Sequence, residues 1–151
     1  MMKWQRGFTL VELIVSTAIT GLIISGLGTA IYQIITVTEY GNDRLTAMHE
    51  LQNVAHWFSL DGQRASAASG GSELVLTLSD DSSVTYTVVG TELYRTADSS
   101  NMTLARNITS ANFSVENRFI TMTITSSPQG RWGVSENGTY KVYRRLTEEQ
   151  E

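Results

Sequence analysis

The sequence predicts an α+β protein: one long N-terminal helix, transmembrane in its first half and amphipathic in its second, packed on a C-terminal antiparallel β-sheet domain. Three observations predict it. An apolar run extends from Phe8 to Thr38 with Glu12 as its only charged residue. From Asn42 to Arg64, apolar residues recur at three- and four-residue steps. From Leu74 onward the pattern becomes alternating. Helical spacing followed by alternation places a helix over one face of a sheet.

At 151 residues, one folded domain is expected. Much of the first quarter is a single apolar segment, so the rest can bury only a modest core. Charged residues are 17% and hydrophobic residues 41%, a globular balance rather than a disordered one. There is no cysteine, which excludes thiol catalysis, cysteine-ligated metal and disulfide bracing.

Residues 1–7 form a short basic leader with Lys3 and Arg6. These charges directly precede the apolar run, so the N-terminus is expected to stay cytoplasmic while the C-terminal domain crosses the membrane in a single pass. Residues 8–38 form the membrane segment. As a helix they reach roughly 46 Å against a hydrocarbon core of about 30 Å, so the helix should continue outward. A secretory signal peptide fits poorly. Its apolar region is about 7–15 residues and ends in small residues, whereas here the run is about twice as long and the small residue, Gly7, precedes it.

Residues 39–64 read as the amphipathic continuation. Leu45, Met48, Leu51, Val54, Ala55 and Phe58 face a domain, with Asp43, Arg44, Glu50, Gln52 and Asn53 between them. Met48 and Phe58 are read as core residues rather than ligand contacts. An unbroken helix from Phe8 to Arg64 would be roughly 85 Å long. Gly41 is the expected bend, and Asp61-Gly62 the expected end. Within the apolar half, Thr17, Gly21, Ser25 and Thr29 recur every four residues and form a ridge of small side chains on which another helix can pack; Gly26 and Ala30 add a neighbouring pair.

The span 65–146 is assigned to the β domain. Ala65 to Ser72 reads as a small, flexible junction. Leu74 to Ser79 and Val84 to Val88 alternate around Asp80-Asp81-Ser82, a hairpin. Gly90-Thr91 turns into Leu93-Tyr94-Arg95. Ala97 to Met102 reads as a polar loop, and Thr103 to Asn107 as a short strand. Phe113 to Glu116 and Phe119 to Thr125 form a second hairpin around Asn117-Arg118. Ser126 to Gly138 is turn-rich and holds the only proline, Pro128. Tyr140 to Arg144 closes the sheet. Residues 147–151 read as a frayed acidic tail.

Glu12 demands an explanation. An acidic residue at the centre of an inserted helix costs about 2.5–3.5 kcal/mol. A positive group on another copy or a related subunit is the natural compensation. At Arg6-Gly7-Phe8-Thr9-Leu10-Val11-Glu12 the chain resembles the prepilin family: type IV pilins, competence pilins and type II secretion pseudopilins. The resemblance implies cleavage after Gly7 by a prepilin peptidase/methyltransferase, N-methylation of Phe8 as the new terminus, and an assembly role for Glu12. It also implies other pilin or pseudopilin subunits and an inner-membrane assembly platform as partners, with lipid around the helix. A filament subunit has use for so long a helix, its first half packing on neighbours and its second carrying the domain. Many major pilins have a proline in the membrane segment; this chain has none there, so any melting would rely on Gly26 and Gly28. Without Lys3 and Arg6, nine Lys and Arg stand against fifteen Asp and Glu, a net charge of −6. That acidity disfavours nucleic-acid binding.

The β region is similar to J-type minor pseudopilins over Val84-Thr85-Tyr86-Thr87-Val88, Leu93-Tyr94-Arg95, Leu104-Ala105-Arg106-Asn107-Ile108-Thr109 and Phe113, with Leu51-Gln52-Asn53-Val54 preceding Asp61. That similarity implies a tip complex that starts filament assembly.

Little suggests an active site, a cofactor or a metal. His49 and His56 are seven apart, too far on a helix for one shared ion. Asp80 and Asp81 lack the further carboxylates of a calcium loop. No nucleophile elbow or phosphate loop is apparent, and Gly70-Gly71 is explained by flexibility. The sequons at Asn101, Asn107, Asn112 and Asn137 are given no role in a Ser/Thr-rich chain. Trp132 suits either a surface contact or a core anchor. The chain therefore reads as an enzyme's substrate rather than an enzyme. The competing reading is a signal-anchored adhesin or sensor whose helix only tethers.

Overall fold

A computed structural model describes residues 7–144. The leader charges at Lys3 and Arg6 and the acidic tail lie outside the described residues. The chain divides into two compact units, Met1–Glu39 and Tyr40–Glu151. A single helix, α1 (Leu10–Arg64), contributes to both. In the first unit its apolar side chains, such as Ile23, Ile31 and Ile35, are exposed.

Among the described residues, the second unit joins the end of α1 to eight strands. They are β1 (Ala65–Ser69), β2 (Glu73–Leu78), β3 (Ser83–Val89), β4 (Glu92–Ala97), β5 (Ser100–Ala105), β6 (Ile108–Glu116), β7 (Phe119–Ser126) and β8 (Glu136–Tyr143). All pairings are antiparallel, and the architecture is α+β. The strands form two meanders rather than one sheet: β1-β2-β3-β4-β5 and β6-β7-β8. An isolated bridge between Gly71 and Phe113 links them.

Several sequence expectations are corrected. Ala65 to Ser69 is not a junction but an edge strand paired with β2. Its small residues fit because Ala65 is buried and Ser66 donates to the carbonyls of Thr77 and Leu78. The polar loop at 97–102 shrinks to a two-residue turn at Asp98-Ser99, with φ of 47° and 69°, and β5 starts at Ser100. Both central residues in the left-handed region match the twist of a tight hairpin. β6 begins at Ile108, and β8 already at Glu136. The helix runs past Asp61-Gly62 to Arg64. Leu45 and Met48 are exposed, and Ala47 takes the inward position instead.

The inward stripe of α1 is Ala47, Leu51, Val54, Phe58 and Asp61. It meets alternating residues of the sheets: Leu74, Leu76, Val84, Tyr86 and Leu93 from the first, Phe113, Ile120, Met122 and Ile124 from the second. Gly62 is required here, since a Cβ would strike Val142 of β8. Phe58 packs edge-on to Tyr86, with ring centroids 6.5 Å apart.

Asp61 is the buried charge of this core, 1% exposed. Arg95 of β4 grips it with both arms, Nε to Oδ2 at 2.6 Å and Nη2 to Oδ1 at 2.9 Å. Tyr86 of β3 donates its hydroxyl to Oδ2. Trp57 lies 4.9 Å from the guanidinium carbon and covers it. Elsewhere the helix caps a sheet edge: Asn53 donates to the Leu104 carbonyl, and Glu50 accepts from the Arg106 amide at 2.7 Å. These bonds occupy backbone groups that edge strand β5 would otherwise leave open.

Three outcomes are expected from this packing. Arg95→Ala strands Asp61 and should lower unfolding free energy by about 3 kcal/mol in chemical denaturation. Burial and the adjacent Asp61 carboxylate push the Tyr86 phenol up. The folded state therefore holds this proton where the unfolded chain releases it, so stability is complete below about pH 10 and falls as pH rises beyond it. Tyr86→Phe should flatten that alkaline slope in pH-resolved melting. Ser126 is fully buried and its hydroxyl has no hydrogen-bond partner. Ser126→Ala should raise stability by about 1 kcal/mol.

Candidate assembly site

The first turn of α1 is organised by Thr9 and Glu12. The Thr9 amide and hydroxyl both donate to Glu12 Oε2, each at 2.9 Å. The Glu12 amide donates back to Thr9 Oγ1 at 3.3 Å. This is a reciprocal capping box, in which Thr9 is the cap and Glu12 stands three residues on. The helix therefore starts at Leu10 because its exposed amides find acceptors, and the positive helix end favours an acid there. The T-x-x-E spacing was visible in the sequence, but Thr9 was not singled out. Among the described residues, no cation lies within ion-pair distance of Glu12. Gly7 and Phe8 precede the helix, and Phe8 is 87% exposed.

The four ridge residues lie within one uninterrupted stretch of α1 and are exposed. Thr17 donates to the Ile14 carbonyl at 2.9 Å, Ser25 to Leu22 at 3.3 Å and Thr29 to Ser25 at 3.0 Å. At Gly21 an added Cβ would meet nothing. With their hydroxyls turned to the backbone, these residues present small surfaces that ask no polar partner of a neighbour. Ser16 and Thr20 behave alike, donating to the carbonyls of Glu12 and Ser16, each at 2.7 Å, and the four-residue series had omitted them. α1 is apolar and long enough to cross a membrane.

The remaining candidates fall elsewhere. His49 and His56 are exposed, and His56 meets Trp57 edge-on. Among the described residues, no cluster of His, Asp and Glu could hold a metal ion. Asp80 is a turn residue: Oδ1 accepts from the Ser82 amide at 3.1 Å and its hydroxyl at 2.6 Å. Those two donors hold its carboxyl below the usual range. Trp132 is half-buried beneath Arg131, 5.4 Å away. The Asp61–Arg95–Tyr86 cluster escaped the sequence reading, which took Asp61 for a helix end.

The capping box makes a local prediction. Thr9→Val removes a donor to Glu12 and the acceptor of its amide, a loss of about 1 kcal/mol. Amide exchange at Glu12 should quicken about fivefold in micelles, with the β domain unchanged.

Residues 2–28 match the prokaryotic N-terminal methylation motif. No curated protein and no solved structure matches the chain. Glycine, phenylalanine and the capped glutamate thus stand together at the head of α1, whose apolar side chains are exposed in the first unit, and over these residues the chain carries the prepilin and pseudopilin signature.

Proposed function

We propose that this protein is a minor pilin or pseudopilin: a structural subunit rather than an enzyme, built into a type II secretion pseudopilus or a type IV pilus-like filament, at its tip. The observation that carries the reading is the methylation motif running into a helix whose apolar side chains are exposed along the first unit. A prepilin peptidase cuts after Gly7 and methylates Phe8. Before assembly the chain sits in the inner membrane with Lys3 and Arg6 on the cytoplasmic side. Cleavage creates a cationic amine on Phe8, and Glu12 receives the amine of an adjacent subunit at the assembly platform. Two opposite charges 4 Å apart attract by about 4 kcal/mol at an effective dielectric of 20, enough to offset burial of Glu12 and fix the axial register. The ridge of Thr17, Gly21, Ser25 and Thr29 lets the neighbouring helix approach. The similarity of the β region to J-type minor pseudopilins supports the tip position.

Two variants test the reading in the native host. Gly7→Val should leave the leader attached, whereas mass spectrometry of the wild-type chain should find a methylated Phe8 as first residue. Glu12→Leu should be processed yet fail to enter filaments. A wild-type chain that keeps Met1, or a Glu12→Leu chain that assembles as well as wild type, overturns the proposal and favours a plain membrane tether.

A further inference from the structure

The second unit segregates its charge between its two sheets. Residues 65–105 carry Glu73, Asp80, Asp81, Glu92 and Asp98 against one cation, Arg95, which Asp61 holds. Residues 106–144 carry Arg106, Arg118, Arg131, Lys141 and Arg144 against Glu116 and Glu136. Of these, Arg106 pairs with Glu92, and Glu136 with Arg44. Four cations remain on the three-stranded sheet and its loops, with no carboxylate in ion-pair distance among the described residues.

Three of them gather at one corner. Arg118 opens the turn into β7, and Arg144 closes β8 by donating its amide to the Arg118 carbonyl at 2.9 Å. Phe119 and Tyr143 are cross-strand partners and pack edge-on, 5.3 Å apart. Arg118 Nη1 donates to the Tyr143 hydroxyl at 2.6 Å, and Lys141 Nζ stands 4.1 Å from the Phe119 ring centroid. Both rings remain exposed, Phe119 at 41% and Tyr143 at 48%, because the buried side of the same strands is filled by Ile120 and Val142. Exposed aromatics braced by cations on paired strands have the composition of an interface anchor.

The complementary surface is on the other sheet. Val84 pairs with Ala97, so the Asp80-Asp81 turn and the Asp98 turn sit side by side at one sheet end.

We infer that the corner of Arg118, Phe119, Lys141 and Tyr143 docks on the acidic turns of a second copy of this chain. Corner-to-corner pairing would set cations against cations. Corner-to-turn pairing sets cations against carboxylates and is heterologous. The inference rests on the filament reading for one condition only, that copies stand side by side in one membrane.

The absence of native cysteine makes a direct test possible. Full-length chains carrying Lys141→Cys or Asp81→Cys are combined in zwitterionic vesicles and oxidised. Both also carry Gly7→Val, so domain pairing is read without filament formation. The mixed dimer should exceed either like-with-like dimer about fivefold, the scale of one surface ion pair, and the excess should vanish at high salt. Adding Arg118→Glu to the Lys141→Cys chain should abolish the excess, and Asp80→Lys in its partner should restore it. Equal yields of all dimers, or a salt-insensitive excess, overturn the proposal. So does a several-fold rise on deleting residues 146–151, which would assign the corner to the chain's own acidic tail. Loss of the mixed dimer in vesicles rich in anionic lipid would assign it to headgroups instead. Failure of the filament reading shows separately, as an unprocessed wild-type N-terminus.

Discussion

The buried carboxylate of Asp61 decides how the helix meets the sheets. An unpaired charge in that position would cost several kcal/mol, so Asp61 must reach both Arg95 and Tyr86. Those partners come from adjacent strands, β4 and β3, and only one rotation of the helix offers Asp61 to both. The same rotation turns Ala47, Leu51, Val54 and Phe58 inward, since they recur at three- and four-residue steps back from Asp61. A well-packed apolar replacement could be as stable. The pair is better understood as fixing which helix face is buried, with Trp57 closing the top of the guanidinium.

The helix also solves an edge problem. Sheets expose unpaired backbone at their outer strands, which invites uncontrolled pairing. β5 is blunted by Asn53 and Glu50 of the helix, and β6 meets Gly71 across the bridge between the sheets. Polar residues on a helix flank, which periodicity reads as solvent-facing, therefore work as edge caps. Their placement follows from the inward stripe: Glu50 and Asn53 directly precede Leu51 and Val54.

The long helix and the alternating strands were legible because each rests on local periodicity. The β2–β3 and β6–β7 hairpins were legible because strong turn residues separate clean alternation. What escaped depends on distant partners. Ala-Ser-Ala-Ala-Ser has no alternation of size, and it becomes a strand only because β2 supplies the other half of the ladder. Met48 and Leu45 satisfy helical spacing, yet they lie on a different face from Ala47, which is the residue buried at this level of the helix, so spacing alone misplaced them. Asp61-Gly62 looks like a helix stop in isolation. Its burial comes from Arg95, thirty-four residues later, and from Val142, which needs the bare Gly62 backbone. At the candidate site the methylation motif was legible by resemblance, whereas the Thr9 bonds could be read from spacing and were not.

On the proposed reading, Glu12 is a capped acid, which suits a docking role better than a bare one. The capping box gives its carboxylate two donors and its amide an acceptor, all from Thr9. The group is thereby fixed in direction and helped by the positive helix end, and in a membrane-spanning α1 its place in the first turn would keep it away from the bilayer centre, where the penalty is greatest. Thr9 supplies dipoles and no charge, so it lowers the cost of the anion without cancelling it. A cation arriving from outside the subunit therefore still gains nearly the full Coulomb attraction, while the carboxylate needs no reorganisation to receive it. On the proposed reading, this division of labour lets one residue serve twice. It caps the helix of the waiting subunit, and it holds an unspent charge toward the next one.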